Sequence, residues 1–138
     1  MHITACICTY RRPRLLGLTL ERLARQETDG RFTYSVVVAD NDPQGSARQV
    51  VDQFRASSGL TVAYCIQPEQ NIALTRNAAL AQATGDLVAF MDDDEFAGPR
   101  WLVTLLEACE QFKAAGALGP VRPHFESPPP GWLVKGRF

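Results

Sequence analysis

The chain has no apolar run near the roughly 20 residues needed to cross a bilayer, so its 138 residues carry no predicted membrane span. The apolar start, Ile3 to Ile7, is too short for a secretory signal and lacks its cleavage pattern. A cytoplasmic location is expected, which leaves room for a larger parent protein at the inner face of a membrane. Excess charge of one sign is missing too. The 14 Lys and Arg stand against 15 Asp and Glu, a net charge of −1, which gives no general attraction to nucleic acid or anionic lipid. Cysteine is sparse: no pair among Cys6, Cys8, Cys65 and Cys109 has the spacing of a zinc site. Cys6 and Cys8, two apart in a strand, share a face and cannot easily bridge each other. All four are expected as buried thiols in a reducing compartment. Histidine is scarcer still, and His2 and His124 lie too far apart to suggest a shared ligand; both are expected at the surface. Glycine-rich phosphate loops are absent. Neither G-x-G-x-x-G nor G-x-x-x-x-G-K-[ST] occurs, which argues against a dinucleotide fold and a P-loop. Phosphates here need a metal or the arginines Arg11, Arg12 and Arg76.

What is present has the size and balance of one globular domain, with 46% hydrophobic and 21% charged residues. Strands are predicted at Ile3 to Thr9, Tyr34 to Ala39, Leu60 to Ile66 and Asp86 to Met91, with a fifth at Ala117 to Val121. Helices fall between them. Pro13 suits a first helical turn, and Leu16, Leu20 and Leu23 form a buried stripe. Ser46 to Ala56 is helical, with Val50, Val51 and Phe54 inward. Asn71 caps a helix that ends near Thr84-Gly85. Pro99 opens another, with Trp101, Leu102, Leu105, Leu106, Cys109 and Phe112 on its core side. Short apolar strands alternating with amphipathic helices predict a mostly parallel sheet sandwiched by helices. The segment Ser127 to Gly131, with three consecutive prolines, is expected as a linker or crossing loop and not as helix or central strand.

The most telling segment is Leu87-Val88-Ala89-Phe90-Met91-Asp92-Asp93-Asp94-Glu95. An apolar strand ends in four carboxylates, which repel one another unless solvated or shared with a cation. A plain acidic turn would look the same. Carboxylate oxygens suit Mg²⁺ or Mn²⁺, which usually share their coordination with substrate phosphates. Polar groups also end two other strands, at Thr9-Tyr10-Arg11-Arg12 and Asp40-Asn41-Asp42. In open α/β sheets ligands bind at those carboxyl ends.

Four segments, in order, resemble the donor-binding half of a family-2 glycosyltransferase with the Rossmann-like GT-A fold. Cys6 to Arg12 resembles the family's first strand and its Thr-Tyr-Asn-Arg turn. Val37 to Asp42 resembles its V-V-D-N-x-S strand end. Asn71 to Leu80, with Arg76-Asn77, resembles its A-R-N helix. Phe90 to Asp94 resembles its D-x-D motif. Cys8 stands where proline is frequent and Arg11 where asparagine is usual, and the interval from Asn71 to Arg76 is short. The resemblance implies an inverting, metal-dependent transfer of a sugar from a nucleotide-sugar donor to a saccharide or lipid-linked acceptor, in bacterial polysaccharide or lipopolysaccharide assembly. Asp40 would accept from a uracil N3–H, favouring a UDP-sugar, with Thr9 and Tyr10 lining the base pocket. Arg76 would lie near base or pyrophosphate. Asp92 would contact the ribose, and Asp94, with Asp92, would hold Mg²⁺ or Mn²⁺. Arg12, Asn41, Asp42 and Asp93 complete the implied donor-binding set, although strand alternation points Asp93 away from its neighbours.

An inverting enzyme also needs a carboxylate base, and the resemblance places it beyond Phe138. Glu126 and His124 read as surface residues. Residues 1–126 are therefore expected as the donor domain and 127–138 as a linker leading to an acceptor half. Trp132 and Phe138 are expected to pack on that half, or else to leave an apolar surface that favours a homodimer. The rivals are a non-catalytic nucleotide-binding or assembly module and a sugar-nucleotidyltransferase-like enzyme. The latter wants a glycine-rich loop where this chain has Thr9 to Pro13. An aspartate-nucleophile phosphatase wants acids after the first strand, and an aspartate-rich prenyl-transferring enzyme wants an all-helical chain.

Overall fold

The computed structural model describes residues 1–125 and 127–136. Four parallel strands, β1 (His2–Thr9), β2 (Thr33–Asp40), β3 (Val62–Ile66) and β4 (Leu87–Asp92), form one sheet in the order β3-β2-β1-β4. β1 and β2 lie at its centre and are buried almost throughout, which explains their unbroken apolar runs. β3 and β4 are the edges and are half-exposed.

Side-chain alternation sorts the sheet into two faces. Ala5, Ile7, Val36 and Val38 meet Leu16, Leu20 and Leu23 of α1 (Pro13–Leu23) and Val51 and Phe54 of α2 (Arg48–Ser58). Ile3 on the same face meets Leu102, Val103 and Leu106 of α4 (Trp101–Phe112). Cys6, Val37 and Ala39 on the opposite face meet Ala79 of α3 (Ile72–Gln82). That contact is mostly alanine and cysteine, which lets α3 ride close to the sheet. Gly85 makes the last turn into β4 against β1. A Cβ there would stand 2.8 Å from the His2 carbonyl and from the Thr4 nitrogen, so only glycine fits.

The predicted α/β sandwich is present, and several details differ. Ala117 to Val121 forms no strand. Gly119 and Pro120 interrupt that run, and Pro120 lacks the N–H a ladder needs. The proline run leads into a short helix, α5 (Gly131–Lys135), where only a linker was expected. Pro130 stays extended, and its carbonyl accepts the Leu133 N–H at 2.9 Å. α2 begins at Arg48 because Gly45 turns in the left-handed region (φ 68°) and the Ala47 N–H is held by Asp40. Phe112, expected in the core, is 72% exposed at the last residue of α4. His2 has partners after all, with its ring nitrogens 2.8 Å from Thr33 Oγ1 and from Ser35 Oγ. Cys6 and Cys8 are buried, Cys65 and Cys109 only half-buried, and all four thiols are free. No helix among the described residues is long and apolar enough to cross a membrane. Glu126 and Phe138 lie outside the described residues.

Candidate functional site

Three strand ends and one helix converge on a cleft of about 280 Å³, at the lower bound of small-molecule pockets. β1 delivers Cys8 and Thr9, followed by Tyr10. Arg11 then takes a left-handed conformation (φ 54°), a region that asparagine enters more readily than arginine. Its guanidinium lies 5.1 Å from the Tyr10 ring centroid and 3.4 Å from Asp42 Oδ2, contacts that hold the turn in place. Arg12 follows and points its guanidinium at β4.

β2 delivers Asn41 to the same cleft. The Asn41 side-chain amide donates to the carbonyls of Gln67 (2.8 Å) and Glu69 (2.6 Å), and its oxygen accepts the Asn71 N–H at 3.0 Å. Asn71 in turn caps α3, accepting from the Ala73 and Leu74 N–H groups. Asn41 therefore ties the end of β2 to the start of α3, and α3 presents Ile72, Thr75 and Arg76 along the cleft wall.

β4 supplies the acids. Asp92 and Asp94 are half-exposed, and each is paired with an arginine. Arg76 Nη2 lies 3.1 Å from Asp92 Oδ1, and Arg12 Nη1 lies 2.9 Å from Asp94 Oδ2. Asp93 points inward. Its Oδ2 accepts the Thr9 hydroxyl at 2.7 Å, and Arg12 Nη1 stands 3.3 Å from its Oδ1. The Thr19 hydroxyl donates to the Asp93 carbonyl at 2.9 Å. Burial pushes the Asp93 carboxyl up, against the Thr9 hydrogen bond and the Arg12 charge, which pull it down. Burial also pushes the Cys8 thiol up to about 11, so the cleft floor is a neutral thiol near pH 7.

Of the residues predicted from sequence, the cleft gathers Thr9, Tyr10, Arg12, Asn41, Arg76, Asp92, Asp93 and Asp94. Asp40 and Asp42 do not line it. Asp40 is fully buried. Its Oδ1 accepts the Asp42 N–H at 2.9 Å, and its Oδ2 accepts the Ala47 N–H (2.8 Å) and the Tyr64 hydroxyl (2.9 Å). In this geometry Asp40 organises the loop after β2, with both carboxylate oxygens hydrogen-bonded by the protein. Cys8, Ile72 and Thr75 were not foreseen. Ile72, Thr75 and Arg76 are spaced i, i+3, i+4, so the helical period alone puts them on one face.

The acids also bear on the divalent ion that the sequence resemblance implies. No group of three His, Cys, Asp or Glu side chains converges as a metal cage among the described residues. Asp92 and Asp94 offer two carboxylates at the cleft rim. Mg²⁺ and similar hard ions are often held by one or two carboxylates plus substrate phosphates. The donor set fits such a shared site and not a closed one.

The family model for Glycosyl transferase family 2 matches residues 4–137. The chain is 42% identical over its whole length to the succinoglycan biosynthesis protein ExoM of Rhizobium meliloti (strain 1021), covering 44% of that protein. It is 33% identical over 108 residues to the validoxylamine A glucosyltransferase of Streptomyces hygroscopicus subsp. jinggangensis (strain 5008), covering 77% of this chain and 25% of that one. The crystal structure of S. aureus TarS residues 1–349 in complex with UDP-GlcNAc superposes with a TM-score of 0.69 at 24% identity, over 80% of this chain and 32% of that chain. This likeness places the sheet and its helices in the GT-A fold. The chain thus spans less than half the length of these curated relatives.

Proposed function

The chain belongs to glycosyl transferase family 2, and from that premise we propose that its cleft binds the nucleoside-diphosphate part of a nucleotide-sugar donor. The observation that carries this reading is the convergence of Thr9, Arg12, Asn41, Arg76, Asp92 and Asp94 from three separate strand ends and α3 onto one opening. Arg12 and Arg76 are the groups for the diphosphate, since guanidinium forks match phosphate oxygens. Asp92 and Asp94 would hold Mg²⁺ or Mn²⁺, which when bound neutralises charge on the departing diphosphate. Tyr10 and Asn41 flank the end of the cleft where a base would sit. Asp40 acts through Asn41, by fixing the loop that carries it.

A UDP-sugar is the favoured donor, supported by the UDP-GlcNAc bound to TarS. Transfer joins an acceptor hydroxyl oxygen to the anomeric carbon as the bond from that carbon to the diphosphate breaks. The acceptor proton goes to a carboxylate base. The acceptor is a saccharide or lipid-linked sugar, in keeping with the name of the succinoglycan relative. Inversion at the anomeric carbon follows from direct displacement. Leu118, Val121 and Trp132 remain exposed, a surface suited to an acceptor-side half or, in its absence, a second copy of the chain. The chain alone is expected to bind donor with little or no transfer.

Calorimetric titration of UDP, GDP and dTDP in Mn²⁺ tests the reading on this chain and on Asp94→Ala. Saturable UDP binding that weakens at least tenfold in Asp94→Ala, a loss typical of one strong charged contact, supports it. Absence of binding to all three nucleotides under any metal refutes it.

A further inference from the structure

We propose that Arg12 and Arg76 take the place of the divalent cation in the donor-free chain, so that metal and nucleoside diphosphate bind as one coupled unit and metal alone binds poorly. The inference rests on the donor reading above and goes beyond it, because it gives the two arginine–carboxylate pairs a part in how metal and diphosphate enter the site.

Both carboxylates suited to a metal are already engaged by a guanidinium: Asp94 by Arg12 at 2.9 Å, and Asp92 by Arg76 at 3.1 Å. A dication entering alone must pull these carboxylates off their partners. It then leaves two guanidinium groups beside a double positive charge, with no new anion to receive them. Like charges a few ångströms apart in a partly desolvated cleft repel strongly. A diphosphate removes that obstacle, because it gives each guanidinium phosphate oxygens in exchange for the carboxylate it releases. Charge in the cleft then stays near balance throughout.

The two arginines are not equivalent. Arg12 also contacts the buried Asp93, 3.3 Å away, which is itself fixed by the Thr9 hydroxyl at 2.7 Å. When Asp94 turns to a metal, Arg12 keeps this inner anchor and pivots. Arg76 has only Asp92 among the described carboxylates and is released outright. Its side chain is about half exposed. Arg76 is therefore the cleaner probe, and Arg12 the second.

Loss of the free-ion Mn²⁺ signal in electron paramagnetic resonance measures metal binding without any turnover. It is recorded on the 138-residue chain with and without saturating UDP, then on Arg76→Gln and Arg12→Gln, with circular dichroism checking the fold of each. In the unmodified chain UDP is expected to tighten Mn²⁺ binding about tenfold or more, the usual range for coupled ligands. Arg76→Gln is expected to bind Mn²⁺ alone several-fold more tightly and to lose much of the UDP effect. Arg12→Gln shifts the same way by less. Equal Mn²⁺ affinity with and without UDP, or no gain in Mn²⁺ affinity in either variant, overturns the inference while UDP binding by calorimetry leaves the donor reading standing. Failure of UDP to bind at all removes the donor reading, and this inference with it.

Discussion

Asp40 sits where a ligand contact would be read, at the polar end of an apolar strand, yet its oxygens are taken up by Asp42, Ala47 and Tyr64. Asp40→Asn replaces one acceptor oxygen with an NH2 group, so at least one of the three donors loses its acceptor. It is expected to cost about 2 kcal/mol, read as a lower urea midpoint, with loss of nucleotide affinity following from a looser Asn41. The sequence made Asp40 and Asn41 equally visible. Their directions follow from parity. Asn41 shares its face with Val37 and Ala39, which meet α3, while Asp40 shares its face with Val36 and Val38, which meet α1 and α2. The alternation was legible, but which face would carry the cleft was not, because that depends on where α3 docks. The same parity separates Asp92, turned to Arg76, from Asp93, turned to Thr9.

Elements whose ends carry their own chemistry were readable. Pro13 starts α1, and Asn71 caps α3 through two backbone N–H groups. The start of α2 was not readable, because its cue is a long-range carboxylate, Asp40, taking the Ala47 N–H. The missing strand at Ala117 to Val121 was readable, because Gly119 and Pro120 break that run. Asn71→Ala removes the α3 cap and is expected to cost about 1 kcal/mol, seen as a lower thermal midpoint. It should also weaken UDP binding, since α3 carries Arg76 into the cleft. A variant that loses stability but keeps full UDP affinity would show that the α3 start and the cleft are uncoupled.

The whole molecule depends on a central strand that carries ionisable groups in its dry interior. Burial pushes the Cys6 thiol up to about 12 and the Cys8 thiol up to about 11, from an ordinary value of 9.0. A group whose folded value is raised contributes stability that is complete below its unfolded value and lost as pH climbs through the folded one. The fold should therefore hold its stability up to pH 9 and lose it steadily toward pH 11–12. Denaturation midpoints at about pH 8 and about pH 10.5 measure this, and Cys6→Ala should flatten the decline. An unchanged decline in that variant would assign it to other groups. At this scale the sequence was most informative: the alternation of apolar strands with amphipathic helices fixes a parallel sandwich, and polar residues at three strand ends mark the rim where the cleft lies.

β1 is one of the two central strands, and it waits for β4. Thr9 and Asp93, joined at 2.7 Å, are 84 residues apart. At ribosomal rates of about 5–20 residues per second, roughly 4–17 s separate the synthesis of one from that of the other. β1 can pair with β2 during that interval, but its other edge stays open until β4 arrives. That edge is a row of unpaired backbone groups flanked by apolar side chains, the kind of surface on which nascent chains aggregate. The acids that complete the cleft therefore arrive with the strand that closes this exposed edge.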